Sequence, residues 1–147
     1  PTLNLTALTA RLARFILDKA VTAVGAVYRF GTGRDAQKTL GKGWSRSEQG
    51  GIWSDGDAAD LTLERNGATT MSFLCSANGA AQVEVEINGA SVYKGMANAL
   101  AGQVLPLGSE DKVAVDLAFS DIVTQKDAGR GNDTRQLGIF LQSVTLK

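Results

Sequence analysis

The sequence predicts a mainly β protein, an antiparallel sandwich behind one N-terminal amphipathic helix. Three observations carry that prediction. Apolar and polar residues alternate with period two at 59–64, 70–75, 82–87 and 112–119, the pattern of strands with one buried face. Asn66-Gly67, Asn78-Gly79 and Asn88-Gly89 lie between those runs, and Asn-Gly tolerates the positive φ of tight reversals. The only stretch with helical periodicity comes first, at 5–27. The 147 residues suffice for one domain with a single core.

In the helical stretch, Arg11, Arg14, Asp18, Thr22 and Gly25 share one stripe. Leu5, Leu12, Ile16, Leu17, Ala20, Ala23, Val24 and Val27 fill a broad opposite arc. At 1.5 Å per residue it would reach roughly 35 Å, so it either packs along the domain or takes a partner, including a second copy. Residues 1–30 are thus expected to form helix and linker, and 31–147 the sandwich. From Tyr28 onward the period changes. Glycines at 31, 33, 41, 43, 50, 51 and 56 mark short strands and tight loops. Beyond the clean alternations, strands are expected at 91–94, 104–107 and 136–146. In the last, Ile139 and Leu141 share a face with Val144 and Leu146 only if one residue bulges out. Eight or nine short strands at this spacing fit a jelly-roll-like β-sandwich. The polar segment 120–134 has no period and is long enough to be a functional or mobile loop.

Composition removes whole classes of function. There is no histidine, which eliminates Ser-His-Asp and Cys-His nucleophiles, His-bound zinc and imidazole proton transfer. The single Cys75 can form neither an internal disulfide nor a thiolate cage, and its alternation with Phe73 places it inward as an inert thiol. Fifteen basic residues balance fifteen acidic ones, so no field gathers nucleic acid or anionic lipid. No apolar run is long enough for a membrane span. The segment at 5–27 lacks a small-residue cleavage site and is not read as a signal peptide; a start at Pro1 rather than Met fits processing or excision, either of which could remove a targeting signal or a neighbouring domain, and the setting is left open, with cytoplasmic or membrane-associated favoured. Ser45 and Ser54 have no general base near them in the sequence, and neither a cofactor nor catalysis is expected.

Both tryptophans lie in Gly43-Trp44-Ser45-Arg46-Ser47-Glu48-Gln49-Gly50-Gly51-Ile52-Trp53-Ser54-Asp55-Gly56, among polar side chains and glycines. Indole faces beside hydrogen-bonding groups suit sugars, whose C–H patches stack and whose hydroxyls need directed partners, although either ring could equally be a core anchor. The pattern Gly-Trp-Ser-x-x-Glu-x-x-Gly-x-Trp-Ser-x-Gly resembles the opening of jelly-roll, carbohydrate-binding-like domains appended to bacterial glycosyltransferases and phosphoglycerol transferases of surface-glycan synthesis. Asn132-Asp133-Thr134-Arg135-Gln136-Leu137-Gly138-Ile139 resembles the signature before their last strand, and Val83-Glu84-Val85-Glu86-Ile87-Asn88-Gly89 their hairpin. Ser47 stands where such domains often have proline. The resemblance spans 43–147 and implies a noncatalytic glycan-binding or glycan-positioning module, with an upstream transferase domain as partner.

For such a module Trp44 is the expected stacking platform, with Arg46, Asp55, Asn132 and Asp133 as polar contacts. Glu48 and Arg135, charged groups in otherwise sparsely charged motifs at the two ends of the sandwich, are expected to form a bidentate structural ion pair. Asp55, Asp57 and Asp60, and separately Asp121, Asp127, Asn132 and Asp133, offer oxygen ligands of the type calcium takes, without EF-hand order. The alternative function is a structural assembly subunit, a shell, fibre or filament component that oligomerises through the N-terminal helix.

Overall fold

The computed structural model describes residues 24–147. Ten strands form two antiparallel sheets: β1 Ala26–Arg29, β2 Trp44–Glu48, β3 Gly51–Asp55, β4 Ala58–Glu64, β5 Thr70–Ser76, β6 Gln82–Ile87, β7 Ala90–Met96, β8 Leu105–Pro106, β9 Lys112–Ser120 and β10 Leu137–Leu146. The first sheet runs β2-β3-β10-β5-β8, and β1 pairs with β10; the second runs β4-β9-β6-β7. The alternating apolar positions at 59–63, 71–75, 83–87 and 113–119 turn inward. Leu61, Leu63, Met71, Phe73, Val83, Val85, Val113, Val115, Leu117, Ile139, Leu141 and Leu146 all lie in one buried core between the sheets. Burying apolar surface from both faces is the main stabilising term of such a domain.

Neighbours in sequence are rarely neighbours in a sheet. Among the described residues only β2–β3 and β6–β7 are hairpins, the latter closed by Asn88 at φ +50° and Gly89 at +85° with Ile87 opposite Ala90. Asn66 also has positive φ, yet its turn joins β4 in one sheet to β5 in the other, and the segment around Asn78 joins β5 to β6 in the same crossing manner. The expected bulge is present. Leu141 faces Cys75 and Ser143 faces Leu74, so Gln142 is the extra residue and Val144 and Leu146 return to the core.

The expected helix at 5–27 lies outside the described residues up to position 23, and its end is corrected. Gly25 has φ +85°, and Ala26–Arg29 is a strand, with Ala26 opposite Leu146 and Arg29 opposite Ser143. The physical reason is the edge of β10. Strand β3 covers only its first half, and the β-forming Val27-Tyr28-Arg29-Phe30 completes the second half, with Phe30 buried. Among the described residues the sandwich thus includes Ala26–Arg29, ahead of the expected boundary at 31. Among the described residues no helix is long and apolar enough to cross a membrane.

Candidate functional site

The two sequence motifs meet at one end of the first sheet. Asp55 lies opposite Leu137, its Oδ1 accepts from the Gln136 amide at 2.9 Å, and the Gly56 amide donates to the Gln136 carbonyl at 2.9 Å. This seam brings the 132–136 segment beside the β2–β3 hairpin. Arg135 is its electrostatic centre. Its Nε and Nη2 grip the Asp133 carboxylate, with Nη2 to Oδ2 at 2.7 Å, and its Nη1 donates to Ser45 Oγ at 3.0 Å.

The expected Glu48–Arg135 ion pair is present at 3.8 Å, but it is not bidentate: the fork is taken by Asp133, two residues away in the chain. Local geometry decides this: the Arg135 amide also donates to Asp133 Oδ1 at 2.9 Å, so the carboxylate is already held where the guanidinium folds back. The Arg135 side-chain bond, then its backbone bond, holds the Asp133 carboxyl below the usual carboxylate range. Such a group binds its proton later in the native state than in the unfolded chain. Its stabilisation is complete above its unfolded pKa, near pH ~4, and disappears as pH falls through the lower native value. Asp133→Asn should therefore flatten the loss of urea midpoint on acidification below about pH 4. Equal acid limbs for Asp133→Asn and the parent would remove Asp133 from this account.

The expected place of Trp44 as an open stacking platform is corrected. Trp44 pairs with the buried Ser54, packs against the core, and donates its Nε1–H to the Asp60 carbonyl at 2.8 Å; it ties β2 to β4 across the two sheets. Trp53 lies between the inward Ile52 and Ser54, so alternation turns it to the outer face of the first sheet. There it is half-buried and meets Phe140, ring centroids 5.2 Å apart at 50°. Period two already allowed this distinction, because Ile52 marks the inward parity of β3.

Of the remaining expected contacts, Asp55 and Asp133 are engaged in the seam, while Arg46 and Asn132 are exposed, with no side-chain hydrogen bond or ion pair among the described residues. Neither acidic segment gathers ligands: among the described residues no three carboxylate or thiol groups could hold a metal ion. Cys75 is buried, and burial pushes its thiol up to about 11. The 120–134 loop is internally bonded, with the Arg130 amide donating to the Gln125 carbonyl at 2.8 Å and Lys126 to that of Asp133 at 3.0 Å.

Ser54 and Gly138, given no binding or structural role in the sequence reading, complete the seam. Strand β10 carries a second irregularity against β3, between Leu137 and Phe140. There the fully buried Ser54 Oγ accepts from the Gly138 and Ile139 amides at 3.1 and 2.9 Å. Gly138 is required because Ser54 Oγ and the Phe119 ring, 2.6 and 2.7 Å away, occupy the space a Cβ would take. The serine after Trp53 and the glycine after Leu137 are thus one lock, with no signal in either stretch read alone. On the opposite face, Lys42, Asp60, Glu84, Glu86 and Asp116 border a groove of about 300 Å³ floored by Ala58 and Ala118. Comparisons with models of protein families, with curated proteins and with solved structures each return no match.

Proposed function

We propose that this chain is a noncatalytic glycan-binding or glycan-positioning module, with a jelly-roll core, serving an enzyme of bacterial surface-polysaccharide synthesis. The strand orders β3-β10-β5-β8 and β4-β9-β6-β7, with successive connections passing from sheet to sheet, support the jelly-roll reading. The observation that carries the glycan reading is the Trp53–Phe140 pair on the outer face of the sheet whose strand β2 carries Ser45 and Glu48, the residues that Arg135 and its partner Asp133 join in one polar rim. A sugar ring offers C–H groups to the aromatic faces and hydroxyls to a rim already fixed by its own hydrogen bonds, so little ordering is lost on binding. Trp53, rather than Trp44, is the stacking platform in this reading.

Binding of the full chain to a glycan array tests it, followed by titration of the strongest hit. Trp53→Ala and Phe140→Ala should each weaken that binding by roughly tenfold or more while the thermal midpoint falls little, since both rings lie outside the core. Array binding unaffected by either change would overturn the site. A chain that sediments as a discrete oligomer and retains no glycan would favour the assembly subunit instead.

A further inference from the structure

We propose that the cleft between β1 and the short 3-10 turn Asp35–Thr39 binds a phosphate ester, with Arg29 and Arg34 as its principal ligands. The cleft has a volume of about 350 Å³ and is lined by Tyr28, Arg29, Arg34, Asp35, Lys38 and Thr39, with the exposed Val27 and the part-buried Ala36 beside them. Three cations therefore face one carboxylate, in a chain whose fifteen basic and fifteen acidic residues otherwise cancel. Among the described residues none of the three has a carboxylate within 4.0 Å, whereas Lys112 pairs with Glu64 and Arg135 with Asp133. Like charges gathered in one concavity repel one another, and a bridging anion relieves that repulsion.

The arrangement is held from both sides. Arg29 is fixed opposite Ser143 in the ladder and followed by the buried Phe30. The turn is tied back to the strand because Gln37 Oε1 accepts from the Gly31 amide at 2.9 Å, and the turn is closed by Thr39 Oγ1 donating to the Ala36 carbonyl at 2.6 Å. Two guanidinium forks on tied backbone suit an oxyanion, and the net double positive charge suits a phosphate dianion better than a single carboxylate.

Asp35 selects the ligand further. It opposes a bare anion but accepts from a hydroxyl, which favours a phosphate carried on a polyol over free phosphate. Room for the rest of that molecule adjoins. Arg29 and Arg34 also border a second cavity of about 190 Å³, with Gly50, Leu74, Gln142 and Ser143. This assignment is independent of the aromatic site and stands or falls without it.

Calorimetric titration of the full chain at low ionic strength, with inorganic phosphate, glucose 6-phosphate and glucose in separate arms, tests the proposal. Saturable binding of glucose 6-phosphate is expected, tighter than phosphate and absent for glucose. Arg29→Gln and Arg34→Gln should each weaken it roughly tenfold or more, and Lys126→Gln, an equal charge change on the 120–134 loop, should not. Asp35→Asn should tighten inorganic phosphate severalfold and narrow its gap to the ester, a gain that a damaged fold cannot mimic. Absence of saturable binding by both phosphates, or equal losses in the Lys126 and arginine variants, would overturn it.

Discussion

Gly43→Ala is expected to destabilise the domain by about 3–5 kcal/mol, enough to unfold it where stability is ordinary. The chain switches sheets at this residue. Before it, Leu40 bridges Leu61, the Gly41 amide donates to the Asp60 carbonyl at 2.9 Å, and the Asp60 amide donates to the Lys42 carbonyl at 3.1 Å, so the segment runs along β4 of the second sheet. After it, Trp44 pairs with Ser54 in the first sheet, and the Asp55 amide donates to the Gly43 carbonyl at 2.8 Å. The turn between these two attachments needs φ +88°, and an added Cβ would lie 1.9 Å from the Ala58 carbonyl oxygen and 2.7 Å from the Ala59 Cα. Those atoms are backbone of a paired strand and cannot move aside singly. Gly50→Ala is the control, with φ +84° but nothing within 4 Å of its Cβ, and should cost only about 1 kcal/mol. Urea unfolding at constant m would separate the two; equal midpoint shifts would show that φ alone, not the corner, sets the cost.

That corner also shows where a sequence stops informing. Alternation placed the buried face of β4, β5, β6 and β9 correctly because period two is a local property of each strand. The Gln142 bulge was legible for the same reason, since Leu141 and Val144 cannot share a face without it. Pairing partners are not local. Asn66-Gly67 and Asn88-Gly89 carry the same turn chemistry, yet one crosses between sheets and the other closes a hairpin, so a meander and a crossing sandwich read alike. Arg135 illustrates the matching limit at the site. Its meeting with the Glu48 strand was expected and is seen, but the choice of Asp133 as its fork partner depends on a turn of two residues that no pattern announces. Trp53 faces outward because Ile52 and Ser54 set the inward parity of β3, a distinction that period two carries.

Ser54→Ala is the second large effect, expected at about 3 kcal/mol although it removes one exchangeable oxygen and no apolar surface. Its hydroxyl is the acceptor for two amides, Gly138 and Ile139, where the ladder between β3 and β10 is interrupted. The group is fully buried, and the space beside it is filled by the Phe119 ring, so water has no ready route to replace it. Two orphaned donors at roughly 1–2 kcal/mol each set the estimate. Ser45→Ala, which removes a part-buried partner of Arg135, should cost under about 1 kcal/mol by comparison. Hydrogen exchange gives the sharper reading: the Gly138 and Ile139 amides should lose protection in Ser54→Ala before the rest of β10, because the defect is local. Uniform loss across β10 would mean that the hydroxyl is merely one contact among many. The outcome bears on the rim as well. Asp55, next along β3, receives the Gln136 amide, and Arg135 precedes it, so a loosened bulge shifts Asp133 and Arg135 together. Ligand binding at that rim should then weaken in Ser54→Ala even at temperatures where the protein remains folded, whereas Ser143→Ala, buried on the same strand beyond the bulge at Gln142, should leave it intact.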